Sequence, residues 1–170
     1  MSSSEVHSVL LSVGEAMLVV PAPSLVAVVN PSSMWALPQP QQGCLGTVTT
    51  DHGTAAVIAG ESLLGRQPAP LNNRCRIALL RPPGLRESFG VLVRAYPLVV
   101  SLTEAAFTPA QRPESLPEGG LLEVGMVGRR FVCLPDLPWW AHRARDLMSA
   151  HIAQARGEFD GDNAADTPAS

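Results

Sequence analysis

The chain contains no lysine: all 12 of its basic residues are arginine. That excludes any mechanism built on a lysine amine, including Schiff-base, pyridoxal and P-loop chemistry. Cysteine is scarce as well. Cys44, Cys75 and Cys133 stand alone, odd in number, with no CxxC and no Cys/His cluster. Neither a disulfide framework nor a zinc site is expected, and the thiols read as buried and free. His142 and His151 are too far apart for an i, i+4 metal pair, so no metal and no cofactor is predicted. Charge is sparse at 16% of residues, with a net of -3 and no basic stripe, so nucleic acid is not an expected partner. Long apolar runs are missing too. Ser12, Gly14 and Glu15 interrupt Val9 to Val20, and the N-terminus has no positive region before it. We therefore expect neither a signal peptide nor a membrane span, and a cytoplasmic location.

What remains is a hydrophobic content of 46% punctuated by 16 prolines and 14 glycines, a pattern that favours many short strands. A chain of 170 residues is the size of one domain. The spacing predicts a hairpin from Val6–Val13 and Ala16–Val20 about Gly14-Glu15, then a β-branched strand at Leu25–Val29 stopped by Asn30-Pro31. Ser32 to Ala36 reads as a loop, with Trp35 either plugging the core or exposed as an anchor; the core is favoured, since most tryptophans are largely buried. Arg66 to Arg74 reads as a surface linker. Strands follow at Arg76–Arg81, Phe89–Val93, Tyr96–Leu102, Leu121–Val127 and Phe131–Leu134, with a mobile loop over Thr108–Gly120. Counting hairpins yields about ten strands, enough for two small five-stranded barrels. One long helix is expected over 139–156, with Trp140, Ala144, Leu147, Met148 and Ala155 near one face and Gly157 stopping it. The folded unit is thus placed at 6–157, with halves at 6–66 and 74–137, and residues 158–170 as an acidic, disordered tail.

Leu37 to Gly65 is the most informative stretch. A Pro-rich lead-in at Pro38 and Pro40 enters a strand through Thr47–Thr50. The chain turns at Asp51-His52-Gly53, returns through Ala55-Ala56-Val57-Ile58, and ends in a one-turn helix at Glu61–Leu64. Its chemistry is thin. Gly60-Glu61-Ser62 approaches a nucleophile elbow, but Leu64 stands where the second glycine belongs. Cys44 beside Asp51-His52 could supply a thiol and a base, yet a turn and a core thiol account for the same residues. No carboxylate pair, phosphate loop or metal spacing appears. Apolar strands bounded by proline suit partner binding instead. The opposing reading is a small β-barrel that binds a ligand or hydrolyses one through Cys44 or Ser62.

This stretch resembles the signature of the CheW-like chemotaxis adaptor family. Leu37-Pro38, Pro40, Leu45-Gly46, Gly53, Val57-Ile58 and Leu63-Leu64-Gly65 stand at the family spacing. His52 replaces the turn arginine, Ala56 the proline, and Ala59-Gly60 the Asp-Leu pair. Further along, Phe89–Val93 with Val99-Val100 resembles two more family strands, with Arg94 in place of an aspartate, and Pro135-Asp136-Leu137 the closing motif. The resemblance implies a mainly β fold of two SH3-like five-stranded barrels sharing a core, and a non-enzymatic adaptor. Its implied partners are a methyl-accepting chemoreceptor and a CheA-like histidine kinase, with recruitment to a membrane-associated array. The departures point to a divergent branch, of a pilus or twitching-motility system. The implied partner surface is Val26, Ala27 and Val28, with Ala27 where the family has a receptor-facing glutamate, the hairpin tip Thr49, His52 and Gly53, and the strand residues Val99 and Val100.

Overall fold

The computed structural model describes residues 6–41, 43–103 and 106–164. One sheet contains β1 (Val6–Val13), β2 (Ala16–Pro21), β9 (Leu98–Leu102), β10 (Phe107–Pro109), β11 (Leu121–Val127) and β12 (Arg130–Pro135). The other contains β3 (Leu25–Val29), β4 (Trp35–Gln41), β5 (Cys44–Thr50), β6 (Gly53–Ala59), β7 (Arg76–Leu80) and β8 (Phe89–Val93). A short helix, α1 (Gly60–Leu63), follows β6, and a long one, α2 (Leu137–Ala164), follows β12. The strand orders are β10-β11-β12-β2-β1-β9 and β3-β7-β8-β6-β5-β4, six strands in each sheet. The fold is mainly β, with one SH3-like subdomain around each sheet.

The hairpins form where turn chemistry predicts them. Val13 pairs with Ala16 across Gly14-Glu15, Thr50 with Gly53 across Asp51-His52, and Val127 with Arg130 across Gly128-Arg129. The sheets do not follow the expected sequence halves. After β2 the chain crosses to build the whole second sheet and returns only at β9. Two parallel pairings, β12 with β2 and β6 with β8, complete the sheets. Such long-range partners leave no trace in local periodicity, which is why a cut near residue 70 looked natural.

The expected loop at Ser32–Ala36 is a correction. The Asn30 side chain accepts from the Ser32 N–H at 3.0 Å and caps a single 3-10 turn over Pro31–Ser33. The strand β4 then begins at Trp35, which pairs with Thr47. Its prolines are tolerated because β4 is an edge. Trp35 does not plug the core: it lies 80% exposed on that edge. The loop before β11 is also more anchored than expected, since Leu116 is buried in the main core.

That main core lies between the sheets. Val9, Leu11, Val13 and Leu18 from the first meet Ala56, Ile58, Leu80, Phe89 and Val91 from the second. A second cluster fills the other face of the second sheet with Val48, Ala55, Val57, Ile77, Leu79 and Leu92. The central strands β6, β7 and β8 are therefore buried on both faces, which explains their unbroken apolar sequences. A bulge between Cys44 and Gly46 puts Cys44 in the first cluster while Val48 belongs to the second.

The helix α2 starts at a side-chain cap. The Trp139 N–H donates to the Asp136 carboxylate at 3.2 Å, and Pro138 sits in the first turn where its missing N–H costs nothing. Trp140 is 6% exposed, and its indole N–H donates to the Gly120 carbonyl at 2.8 Å. Leu137, Ala141, Ala144, Leu147 and Met148 continue the same face into the main core. Ala155, expected on that face, has a side chain outside the described set. Gly157 does not stop the helix, which runs on to Ala164; a single glycine costs a helix only about 1 kcal/mol. Residues 1–5 and 165–170 lie outside the described residues.

Two glycines carry different constraints, and both are testable. A Cβ on Gly46 would sit 2.2 Å from the Trp35 carbonyl oxygen, so Gly46→Ala must push β4 away from β5. We expect a loss of about 1–3 kcal/mol, the usual cost of overpacking, measured by denaturant titration. Gly53 has open space around it but φ of +103°, so Gly53→Val is opposed by backbone strain alone. That loss is expected at about 1 kcal/mol or more.

Candidate partner-binding surface

The surface implied by the sequence falls in three places. Val26, Ala27 and Val28 lie on β3, an edge of the second sheet, and all three are half-buried. Val26 and Ala27 pack on the second apolar cluster, and Val28 pairs with Ala78. Val99 and Val100 lie on β9, an edge of the first sheet. Val99 is 67% exposed although it pairs with the buried Val9, and among the described residues no strand lies beyond β9. Val100 pairs with Ser8 and is half-buried.

The hairpin tip is the third place. Thr49 and Thr54 exchange a hydroxyl hydrogen bond at 3.0 Å across the strands, and the His52 N–H donates to the Thr50 hydroxyl at 3.1 Å. His52 and Thr54 line a cavity of about 260 Å³ with Arg86, Glu87, Arg145 and Met148, against α2. Arg145 and Glu87 form an exposed ion pair there at 3.2 Å. The structure thus unites Thr49, His52 and Gly53 at one hairpin, beside the helix. It separates them from β3, in the same sheet, and from β9, in the other.

Two features were named in the sequence without a role. Tyr96 and Leu98, 65% and 57% exposed, extend the apolar edge around Val99. The signal was present in a run with no charge between Arg94 and Thr103. Arg94 was the other. Its guanidinium donates to the Glu61 carboxylate, to the Ala69 and Pro70 carbonyls at 2.7 and 2.8 Å, and to the Cys75 sulfur at 3.3 Å. Its backbone N–H donates to the Ser12 carbonyl at 2.8 Å. This side chain ties α1, the linker and β8 together, and the Glu61 carboxylate raises the Arg94 pKa further above its ordinary value.

The candidate nucleophiles are poorly placed. Cys44 is buried, its Sγ donates weakly to the Gly46 carbonyl, and burial pushes the thiol pKa up. Cys44 and His52 sit at opposite ends of a hairpin arm, separated by roughly 20 Å of strand. Ser62 is on α1, packed beside Gly43. Among the described residues no group of three or more His, Cys, Asp or Glu is arranged to hold a metal ion. No helix among them is long and apolar enough to cross a membrane.

These thiols provide a direct check. Burial lifts Cys133 to about 11, so at pH 8 almost none of it is thiolate in the folded chain. We expect native alkylation of Cys44 and Cys133 to be slow and to become fast on unfolding. Rapid labelling of native Cys44 would restore the catalytic reading. The sign for stability follows. A thiol whose folded pKa is raised stabilises the fold fully below its unfolded value of about 8.5, and that contribution is lost as pH climbs towards 11.

Two small subdomains of mostly antiparallel strands, each closed by one parallel pairing, share an apolar core and present uncharged strand edges in a double SH3-like fold. No family model matches the sequence, and no curated protein is similar to it at a significant level. Among solved structures the fold is similar to that of the scaffolding protein TtCheW from Thermoanaerobacter tengcongensis. The TM-score is 0.65 at 15% identity, over 80% of this chain and 87% of that one.

Proposed function

We propose that this chain is a non-enzymatic adaptor that couples a methyl-accepting chemoreceptor to a CheA-like histidine kinase in a chemosensory array. The observation that supports it most is the likeness in fold to a CheW scaffolding protein over 80% of this chain. The family-like frame from Leu37 to Gly65 supports it independently, because the likeness in fold does not depend on those letters. On this reading the chain works in the cytoplasm and reaches the membrane-associated array through its partners. We read the changed signature positions, His52, Ala56 and Ala59-Gly60, as those of a divergent branch and propose a pilus or twitching-motility system as its setting.

Because the candidate residues occupy separate places, we assign them to separate contacts on two partners. β3 with Val26, Ala27 and Val28 forms one, β9 with Val99 and Val100 another, and the tip at Thr49, His52 and Gly53 borders the third. Ala27 and His52 stand where the family has charged residues, so binding should depend weakly on salt. The test is co-precipitation of the purified chain with the chemosensory kinase and receptor tip of the same genome, followed by titration at low and high salt. Saturable binding that varies little with salt is expected. No binding to either protein would overturn the proposal.

A further inference from the structure

The four edge strands of the two sheets are not equally protected. An open edge presents unpaired backbone N–H and C=O groups, and proteins guard such edges with prolines, bulges, short strands or charges. β4 contains Pro38 and Pro40, and its pairing with β5 is irregular between Ala36 and Gln41. β10 has only three residues and ends in Pro109. β3 is interrupted by a bulge between Leu25 and Ala27. β9 has none of these devices. Leu98-Val99-Val100-Ser101-Leu102 pairs with β1 in unbroken register, contains no proline and no charge, and leaves Leu98 and Val99 more than half exposed.

We infer that β9 is a self-association edge, and that two copies of the chain join antiparallel through it about a two-fold axis at Val100. A strand is the required occupant, since only an extended chain satisfies the backbone groups along the edge. A second copy is the favoured one, because the five residues are nearly palindromic. Centred on Val100, the pairing sets Leu98 against the second copy's Leu102 and Val99 against its Ser101. Leu98, Val100 and Leu102 then form one apolar face from both copies, with no like charges opposed. This goes beyond the adaptor reading and does not depend on it, because it concerns the chain alone. It also means that a partner using Val99 must compete with the second copy.

The test is sedimentation velocity on the isolated full chain across a concentration series, with three variants whose cooperative melting is checked first. The wild type is expected to be a reversible dimer. Val99→Lys, at an exposed position, is expected to weaken it at least about tenfold. Val100→Cys should give a disulfide-linked dimer under mild oxidation, since paired Cα atoms lie about 4.5–5.5 Å apart. Leu98→Cys should not, because its two copies would be roughly 13 Å apart along the strands. A wild-type chain that stays monomeric throughout would overturn the inference and leave the edge to a strand from another protein. Dimerisation unaffected by Val99→Lys would overturn it too, as would equal cross-linking by Leu98→Cys and Val100→Cys.

Discussion

Replacing Arg94 with methionine is expected to destabilise the protein by about 3–5 kcal/mol, the usual result of removing one partner of a buried ion pair. The Arg94 and Glu61 side chains are only 13% and 7% exposed. The Glu61 Oε2 already has no hydrogen-bond partner among the described residues. Without the guanidinium, a buried carboxylate is left without a countercharge, and the Ala69 and Pro70 carbonyls lose their donors. The double variant Glu61→Leu with Arg94→Met should recover much of the loss, since an apolar pair leaves no orphaned charge. The linker should still loosen in both, seen as faster hydrogen exchange over residues 66–74 and faster alkylation of Cys75. Denaturant titration of the two single variants and the double separates these effects. A single variant as stable as the wild type would contradict this account of the junction.

Cutting the chain before Leu137 is expected to abolish soluble folding. α2 contributes Leu137, Trp140, Ala141, Ala144, Leu147 and Met148 to the main core, against β6 and its neighbours in the second sheet. At about 1.5–3 kcal/mol for each large apolar side chain buried, the helix supplies several kcal/mol, comparable with the whole stability of a small domain. Its removal also uncovers apolar surface on a two-subdomain core, so aggregation should accompany unfolding. Cutting after Gly157 is the control. The described core face ends at Met148, nine residues earlier, so that shorter chain should melt cooperatively near the wild-type temperature. If the chain lacking α2 stays monomeric with native strand content, the helix is dispensable and the packing argument fails.

The hairpins could be read from the sequence because their signals are local. Gly14-Glu15, Asp51-His52 and Gly128-Arg129 each sit between apolar runs, and the start of α2 is marked by Asp136 and Pro138. The association of strands could not be read so. Nothing local states that β6 lies parallel to β8, or that β12 returns to β2 at the beginning of the chain. Trp35 misled because its size argues for burial, whereas it sits on β4, the outer strand of its sheet, paired with β5 alone. The residues of the candidate surface could be named from the sequence, but their arrangement could not. Val99 and Val100 do form an open edge, while the tip at His52 turned out to border α2, an element more than eighty residues later in the chain. Arg94 drew notice only as a departure from a family pattern, because its partners Glu61, Ala69 and Pro70 are distant in sequence.

The central claim is that an adaptor binds its partners through uncharged strand edges. Its most direct test is calorimetric titration of the chain against the chemosensory kinase and the receptor tip, repeated for Val28→Asp and Val99→Asp. A lone carboxylate placed in an apolar contact costs more than the contact returns. The account predicts saturable binding by the wild type and loss of at least one partner in each variant, with melting still cooperative. Affinities for both proteins that are unchanged in both variants would contradict it.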